Sequence, residues 1–512
     1  MTSASAGAAY STQRVKRSLL HFAIGKSATA VLGAALLLVL VRALDRTDYG
    51  IYVALLAAFE IVSMASNTGV LPALLRYTPE LRSRNQGRAL RATLNRFSVW
   101  RLATLAIAAL LVAVFSAPIA ALMGFPGQSA IIALYALVML IEGFARYTDL
   151  IFESLLMQGA TQISVLLRTG IRLGGIALLW HAAADKVALV DWIHIEIAAS
   201  GAGCIAATAI ITRYLGQLAR TEPGSDAAPD RARVLRYALP SYLAQTVYQL
   251  QGPDVVKILL ARLAGVVEAG AFGFATAIGG IVQRYLPMVL LIGMLRPLFV
   301  AQRSKHEDPA RLVALANLIF KLNVFVIAPA TTFFAIEGNT VSAALSGGAF
   351  PDAGPYLVAF GFLLVGQTLN LVLGLLALAV EDSKSVLVGT FWGMLGIVGG
   401  LIGYRVGGPL ALCAGLVASE LLRSVGCARV LRRFGIVFRL DVAAHAKLWA
   451  IAVISALSAL PVAGTFPGKG GVLAALAVAA LVYLVGTRLA RPFSSFERDM
   501  INRALPKPVF IW

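Results

Sequence analysis

The chain has 512 residues, of which 59% are hydrophobic and 13% charged. A soluble globular chain carries roughly 25% charged residues, so much of this one is built to face lipid rather than water. Its 44 lysines and arginines outnumber 25 acidic residues, for a net charge of +19. The cations sit in short loops between apolar runs, and no nucleic-acid motif accompanies them, so nucleic acid is not the expected partner.

The N-terminus carries Arg14, Lys16 and Arg17 before the first apolar run. That run is too long for a signal-peptide core and reads as a retained first helix. Apolar runs predict helices over 19–44, 51–75, 98–118, 129–150, 162–182, 187–213, 238–263, 267–295, 315–337, 354–380, 384–403, 407–428, 446–464 and 471–488. Runs of ~20 residues cross a bilayer core of ~30 Å. Backbone polar groups in lipid must be satisfied within the segment, which demands helices. The ~10-residue alternating stretches of a β-barrel are absent from the sequence. The expected fold class is therefore all-α, a polytopic membrane protein with fourteen crossings. Cys204, Cys413 and Cys427 lie within apolar runs and read as small core residues, with neither a disulfide framework nor metal spacing.

Loop charge alternates along this order. Arg76, Arg82, Arg84, Arg88, Arg91 and Arg96 follow the second run; the next loop, "SAPIAALMGFPGQ", is uncharged. Basic clusters recur at 213–236, 296–311, 429–439 and 491–507, always on the side of the N-terminus, while the outward loop 338–354 has no lysine or arginine. Positive loops stay in the cytoplasm, so both termini are expected there.

The stretch "VRALDRTDYGIYVA" at 41–54 has an echo in "ARLAGVVEAGAFGFA" at 261–275. A shift of 262 − 42 = 220 pairs Arg42 with Arg262, Asp48 with Glu268, Gly50 with Gly270 and Tyr52 with Phe272, and further on Leu75-Arg76 with Leu295-Arg296. These matches argue for an internal duplication. Both copies are expected on the outside, so the repeat spans six crossings and its halves are parallel, related by a pseudo-two-fold axis along the membrane normal. The expected organisation is an N-lobe over 1–215, a cytoplasmic linker over 216–236 containing "EPGSDAAPD", a C-lobe over 237–435, and two further helices with a tail over 436–512. The corner residues Arg42, Asp48, Gly50, Arg262, Glu268 and Gly270 read as structural. The glycines suit tight turns, the charges hold helix ends, and Tyr52 suits the membrane interface.

At these residues the chain resembles a known family. "VRALDRTDYGIY" is similar to the corner of the polysaccharide transporters, the Wzx-type flippases of lipid-linked oligosaccharides. "GPDVVKILLARLAGVVEAGAFGFA" resembles the start of their second lobe, with Asp254 and Arg262 in its acidic and basic positions, and "GAFPDAGPYLVAFGFLLVGQTLN" resembles their outward loop and tenth helix. Lys257 stands where the family often has arginine. The family lies in the superfamily of lipid II flippases and multidrug extruders. The resemblance implies translocation of an undecaprenyl-diphosphate-linked glycan from the cytoplasmic to the periplasmic leaflet of the bacterial inner membrane, by alternating access of two lobes. It also implies company with a polysaccharide polymerase and glycosyltransferases.

Charges deep in lipid mark cavities or partners. Lys26, Arg168, Arg172, Lys257 and Arg284 are the candidate substrate-binding cations, with Arg284 read as far from either end of its helix. Arg168 is also placed to snorkel. Lys26 and Arg284 map onto Thr246 and Met64 at the 220 offset, so they depart from the repeat. A diphosphate is well matched by arginine forks and lysine point charges. Glu60 is expected to pair with Lys26 or Arg284, and Asp254 with Lys257; both acids are also candidates for coupling to H+ or Na+. Asp191, His194 and Glu196 read as a solvated helix end, Glu420 and Arg423 as an ion pair, and Lys321 as a snorkelling cation. No motif calls for a cofactor, a metal or a catalytic residue. A lipid II flippase, a cation-coupled drug extruder and a membrane polymerase or glycosyltransferase are the competing readings.

Overall fold

The computed structural model describes residues 12–183, 186–222, 224, 230–292, 295, 296, 299, 309–382, 384–465 and 469–504. Its helices in chain order are α1 (Thr12–Ala43), α2 (Arg46–Ala65), α3 (Val70–Ser83), α4 (Gly87–Val114), α5 (Ser116–Met123), α6 (Ser129–Ser154), α7 (Gln158–Ala182), α8 (Leu189–Thr221) and α9 (Arg231–Gln249). There follow α10 (Pro253–Leu263), α11 (Val266–Arg284), α12 (Pro309–Ser346), α13 (Gly354–Ala379), α14 (Lys384–Leu431), α15 (Val442–Thr465), α16 (Lys469–Ala490) and α17 (Ser495–Ala504). Among the described residues, eleven helices are long and apolar enough to cross a membrane. One of them, α14, is two apolar helices joined at Gly408, whose backbone is non-helical. The chain is an all-helical, multi-pass membrane protein.

Three predicted runs are broken, each for a local reason. The run at 51–75 divides between α2 and α3 at Thr68 and Gly69, both at positive φ. The run at 238–263 divides between α9 and α10 just before Pro253. The run at 267–295 stops at Arg284, because Leu286 precedes Pro287 and a residue before proline is driven out of the helical region. The loop predicted over 338–354 is also shorter than its sequence suggests. Helix α12 continues to Ser346, leaving only 347–353 before α13.

By internal packing the chain divides into two compact units, 1–250 with 257–270, and 251–256 with 271–512. In the first unit the corner after α1 is a set of helix ends tied together. Asp45 caps α2 through the Thr47 amide at 3.1 Å. The Leu189 amide, at the start of α8, donates to Asp48 at 3.2 Å, and Val187 N donates to the Ala43 carbonyl at 2.9 Å. Arg262 donates to the Ala121 carbonyl near the end of α5 at 3.1 Å, where a cation suits the negative pole of a helix. Gly50 is helical rather than a turn residue. A Cβ there would strike the Val266 carbonyl, so glycine is needed for close approach between the two corners. Gly270 is also helical and buried; the turn in its corner is made by Gly265 at φ +102. Tyr52 is not an interface residue either. It is buried, edge-on to Trp192 at 5.8 Å.

The second unit packs α12, α13, α15 and α16 around Phe320, Val324, Leu376 and Leu448. Lys321 corrects the snorkelling expectation. It is 1% exposed, and its ammonium donates to Asp441 at 2.7 Å and to Glu497 at 2.8 Å, with the Phe493 ring 5.7 Å away. A buried ammonium holds its charge only when paired, so α12 pins the polar helix α17 through Glu497. Glu497 also closes a capping box with Ser494, whose amide donates to it at 2.8 Å. Desolvation pushes the Asp441 carboxyl up. The hydrogen bonds from Lys321 and the Ala444 amide outweigh that and hold it below the usual carboxylate range. Its stabilising share is therefore present above the unfolded pKa and lost as pH falls through the lowered folded value.

Two outcomes follow for the purified protein in detergent. Gly50→Leu should lower the thermal melting point by several degrees, whereas Gly174→Ala, on α7 with open space around it, should leave it unchanged or slightly raised. Lys321→Met should free α17, seen as faster protease cleavage within 495–504 than in the parent; equal cleavage rates would contradict the pinning role.

Candidate functional site: a buried charge cluster in the first unit

Glu142 lies at the middle of α6 and is 4% exposed. Three guanidiniums reach it. Arg146, one turn along α6, donates from Nε at 3.1 Å; Arg168 on α7 donates from Nη1 at 2.8 Å; Arg172 on α7 donates from Nη2 at 3.0 Å. Ser200 on α8 adds a hydroxyl at 2.9 Å. The spacing explains why one carboxylate can serve so many. Arg168 and Arg172 are four apart and share a face of α7, and Glu142, Arg146 and Asp149 at i, i+4 and i+7 share a face of α6.

Each arginine has a second acidic partner. Arg146 pairs with Glu60 of α2 at 2.6 Å and lies over the Phe59 ring at 4.6 Å. Arg168, 4% exposed, also pairs with Asp149. Arg172 Nε stands 3.4 Å from Glu196 of α8, whose Oε1 accepts from the Tyr52 hydroxyl at 3.1 Å. One network thus joins α2, α6, α7 and α8. Pairing lets Glu142, Asp149, Arg168 and Arg172 hold their charges at depth.

Several expectations change here. Arg168 does not snorkel; its guanidinium is buried between two carboxylates. Among the described residues, Glu60 pairs with Arg146. Asp191 and His194 are exposed as expected, but Glu196 is buried in the network. Glu142, Arg146 and Asp149 escaped the sequence reading altogether, although their helical spacing was a usable signal.

The remaining candidates lie elsewhere. The side chain of Lys26 is outside the described residues. Its place along α1 is fixed by neighbours: Thr29 donates to Gln162 of α7 at 3.1 Å, and Val187, just past α7, meets Ala43. The two helices therefore run parallel. Lys26 lies three residues before Thr29, and Arg172 ten residues beyond Gln162, a separation of ~20 Å at ~1.5 Å rise per residue. Asp254 and Lys257 are half-buried on the short helix α10. Arg284 is exposed and is the last residue of α11, not an interior one. Glu420 and Arg423 form the expected pair at 3.7 Å, and Asn370 also donates to Glu420 at 2.6 Å.

A second buried cation was missed. Arg101 on α4 is 2% exposed and has no carboxylate within ion-pair distance among the described residues. It donates instead to the end of α2: to the Ser63 carbonyl at 3.2 Å, the Ser63 hydroxyl at 3.0 Å and the Ser66 hydroxyl at 3.1 Å. The negative pole of the interrupted helix substitutes for an acid.

The network makes a quantitative prediction. Glu142→Gln removes the shared charge from two buried guanidiniums, Arg168 and Arg172, and from the more exposed Arg146, and should destabilise the protein by about 3–5 kcal/mol, the scale of breaking a buried ion pair. Urea or thermal unfolding of the purified variant checks it. A change within error of the parent would mean that the network contributes little to stability.

Comparison with known proteins agrees with this picture. The sequence profile of the family described as "Polysaccharide biosynthesis protein" matches residues 15–299. No curated protein sequence matches the chain. Among solved structures, "Lipid II flippase MurJ, inward closed conformation" superposes with a TM-score of 0.68 at 13% identity, covering 94% of this chain and 99% of that one. An inward-facing multidrug resistance MATE family transporter of the MOP superfamily superposes with a TM-score of 0.60 at 14% identity, covering 79% of this chain and 94% of that one. At such identities the likeness is one of fold. The profile covers more than half of the sequence, and on that ground the chain belongs to the polysaccharide biosynthesis protein family, with the fold of MOP-superfamily flippases and transporters.

Proposed function

We propose that the chain is a flippase for a lipid-linked oligosaccharide, moving an undecaprenyl-diphosphate-linked repeat unit from the cytoplasmic to the periplasmic leaflet of a bacterial inner membrane. The observation that carries this reading is the family match over 15–299, joined to a fold shared along nearly its whole length with a lipid II flippase. The family points to polysaccharide precursors, and the shared fold to movement of a lipid-anchored substrate. In the proposed arrangement, fourteen crossings place both termini in the cytoplasm, and lobes over 1–215 and 237–435 work by alternating access. A polymerase and glycosyltransferases would act on the same lipid-linked substrate.

The substrate carries a diphosphate, a glycan and a polyprenyl tail. The tail stays in lipid, and the charged head is what must be helped across. Arg284 is the leading candidate for that task. It is exposed, and it stands where α11 ends. Backbone irregularity at membrane depth is tolerated where it faces protein or an aqueous cavity. Lys257 and Lys26 are secondary candidates. Arg168 and Arg172 are already neutralised by carboxylates, and their geometry favours holding helices together over binding a phosphate. A guanidinium fork gives two parallel hydrogen bonds to a phosphate that a lysine cannot reproduce.

Arg284→Ala should therefore reduce glycan export at least tenfold with membrane abundance near the parental level, and Arg284→Lys should restore part of it. Parental export by Arg284→Ala would remove Arg284 from the substrate path. Topology is tested separately. Single cysteines replacing Ser83 and Ser494 should be labelled only from the cytoplasm, and one replacing Asp352 only from the periplasm. Asp352 is the suitable outward probe because Ser346 is buried. Labelling of Ser83 and Asp352 variants from the same side would contradict the fourteen-crossing arrangement.

A further inference from the structure

The network in the first unit is not charge-balanced. Its buried acids are Glu142, Asp149 and Glu196 and its buried bases are Arg168 and Arg172, while Arg146 and Glu60, both more than a third exposed, neutralise each other. Three buried carboxylates less two buried guanidiniums leave one negative charge in excess. An uncompensated charge buried among spanning helices costs several kcal/mol, and a group so placed shifts its protonation and becomes neutral instead.

Geometry shows which carboxyl is in surplus. Arg146 has a 2.6 Å contact with Glu60, and Arg168 bonds Asp149. Arg172 is then left for Glu142 at 3.0 Å or Glu196 at 3.4 Å, and Glu142 receives the shorter bond together with the other two arginines and Ser200. Glu196 has the weakest claim on any cation. It is 3% exposed, and its Oε2 has no hydrogen-bond partner. Leaving a charged oxygen dry and unpaired is far costlier than leaving a neutral hydroxyl so.

No other described group supplies the missing charge. The helices packed on α8 are α2, α4, α6 and α7. From α2 comes Tyr52, a hydroxyl donor; from α6 come Tyr135 and the network's own residues; from α7 only the two arginines already counted. Arg101 of α4 is committed to the end of α2. On α8 itself, Asp191 and His194 are exposed and turned away.

We infer that Glu196 is a proton-binding site, holding a neutral carboxylic acid at neutral pH, with its carbonyl oxygen Oε1 accepting from Tyr52 and its proton on Oε2. Loss of that proton leaves a carboxylate that competes with Glu142 for Arg172. Proton release thus draws Arg172 toward α8 and away from α6, so a single titration changes which helices the guanidinium ties.

The test is infrared spectroscopy of the purified full-length protein in lipid bilayers, where protonated and ionised carboxyl groups absorb separately. The difference spectrum between the parent and Glu196→Gln at neutral pH should contain one protonated carboxyl band, and that band should fade as pH is raised. Glu196→Gln mimics the neutral acid and should keep a near-parental melting point, unlike Glu142→Gln. Tyr52→Phe should shift the band without removing it, which keeps the test open should Glu196→Gln fail to fold. Absence of a protonated band from the difference spectrum, or its loss in Glu60→Gln or Asp149→Asn with retention in Glu196→Gln, would overturn the assignment. None of these readouts involves the transported substrate, so their failure would leave the flippase reading untouched.

Discussion

Glu142 is the group on which the first unit depends. It lies halfway along a membrane-spanning helix, where an isolated carboxylate would be untenable, and it survives by gathering three guanidiniums and a hydroxyl. Each of those donors has a further partner, so the requirement to neutralise one charge is met by connecting four helices. A packed apolar interface in lipid gains little from the hydrophobic effect, since the tails are as apolar as the side chains. Buried polar connections therefore specify which helix faces meet. The second unit uses the same device at Lys321, and there it fastens a polar helix to a spanning one.

Helix interruption is the other recurring constraint. Wherever a helix stops inside an apolar region, its last carbonyls need donors. At the end of α2 they receive Arg101, and Asn67 caps the restart at Leu71 with a 2.9 Å bond. At the end of α11 the last residue is itself an arginine. These breaks give the chain its polar features at depth, and the site proposed for the diphosphate is one of them. The two arginines first grouped with it, Arg168 and Arg172, are paired with Glu142, Asp149 and Glu196.

The sequence made the helical, multi-pass character plain, because apolar run length is dictated by bilayer thickness. It also disclosed the family, through stretches whose residues recur at a fixed offset. What it hid were interactions set by the third dimension. Glu60 and Arg146 are 86 positions apart in sequence, and nothing in their local context names one as the partner of the other. Lys321 looked free because its acids lie at 441 and 497. Arg284 was misjudged for a local reason that could have been read: Pro287 follows it, and a proline three residues on ends a helix early. Gly50 was assigned to a turn on its type alone, whereas its purpose is close approach to Val266.

In this account an interrupted, cation-bearing second unit handles the charged head of a lipid-linked glycan, while the first unit holds a fixed internal network with one exchangeable proton. The central claim is that the chain moves such a lipid between leaflets. It is tested most directly by reconstituting the purified protein in vesicles with a fluorescent undecaprenyl-diphosphate-linked oligosaccharide and following access of a membrane-impermeant quencher. Loss of leaflet asymmetry that depends on the protein, and is slowed in Arg284→Ala, is the predicted result. A lipid that stays in its original leaflet for as long as it does in protein-free vesicles would contradict the account.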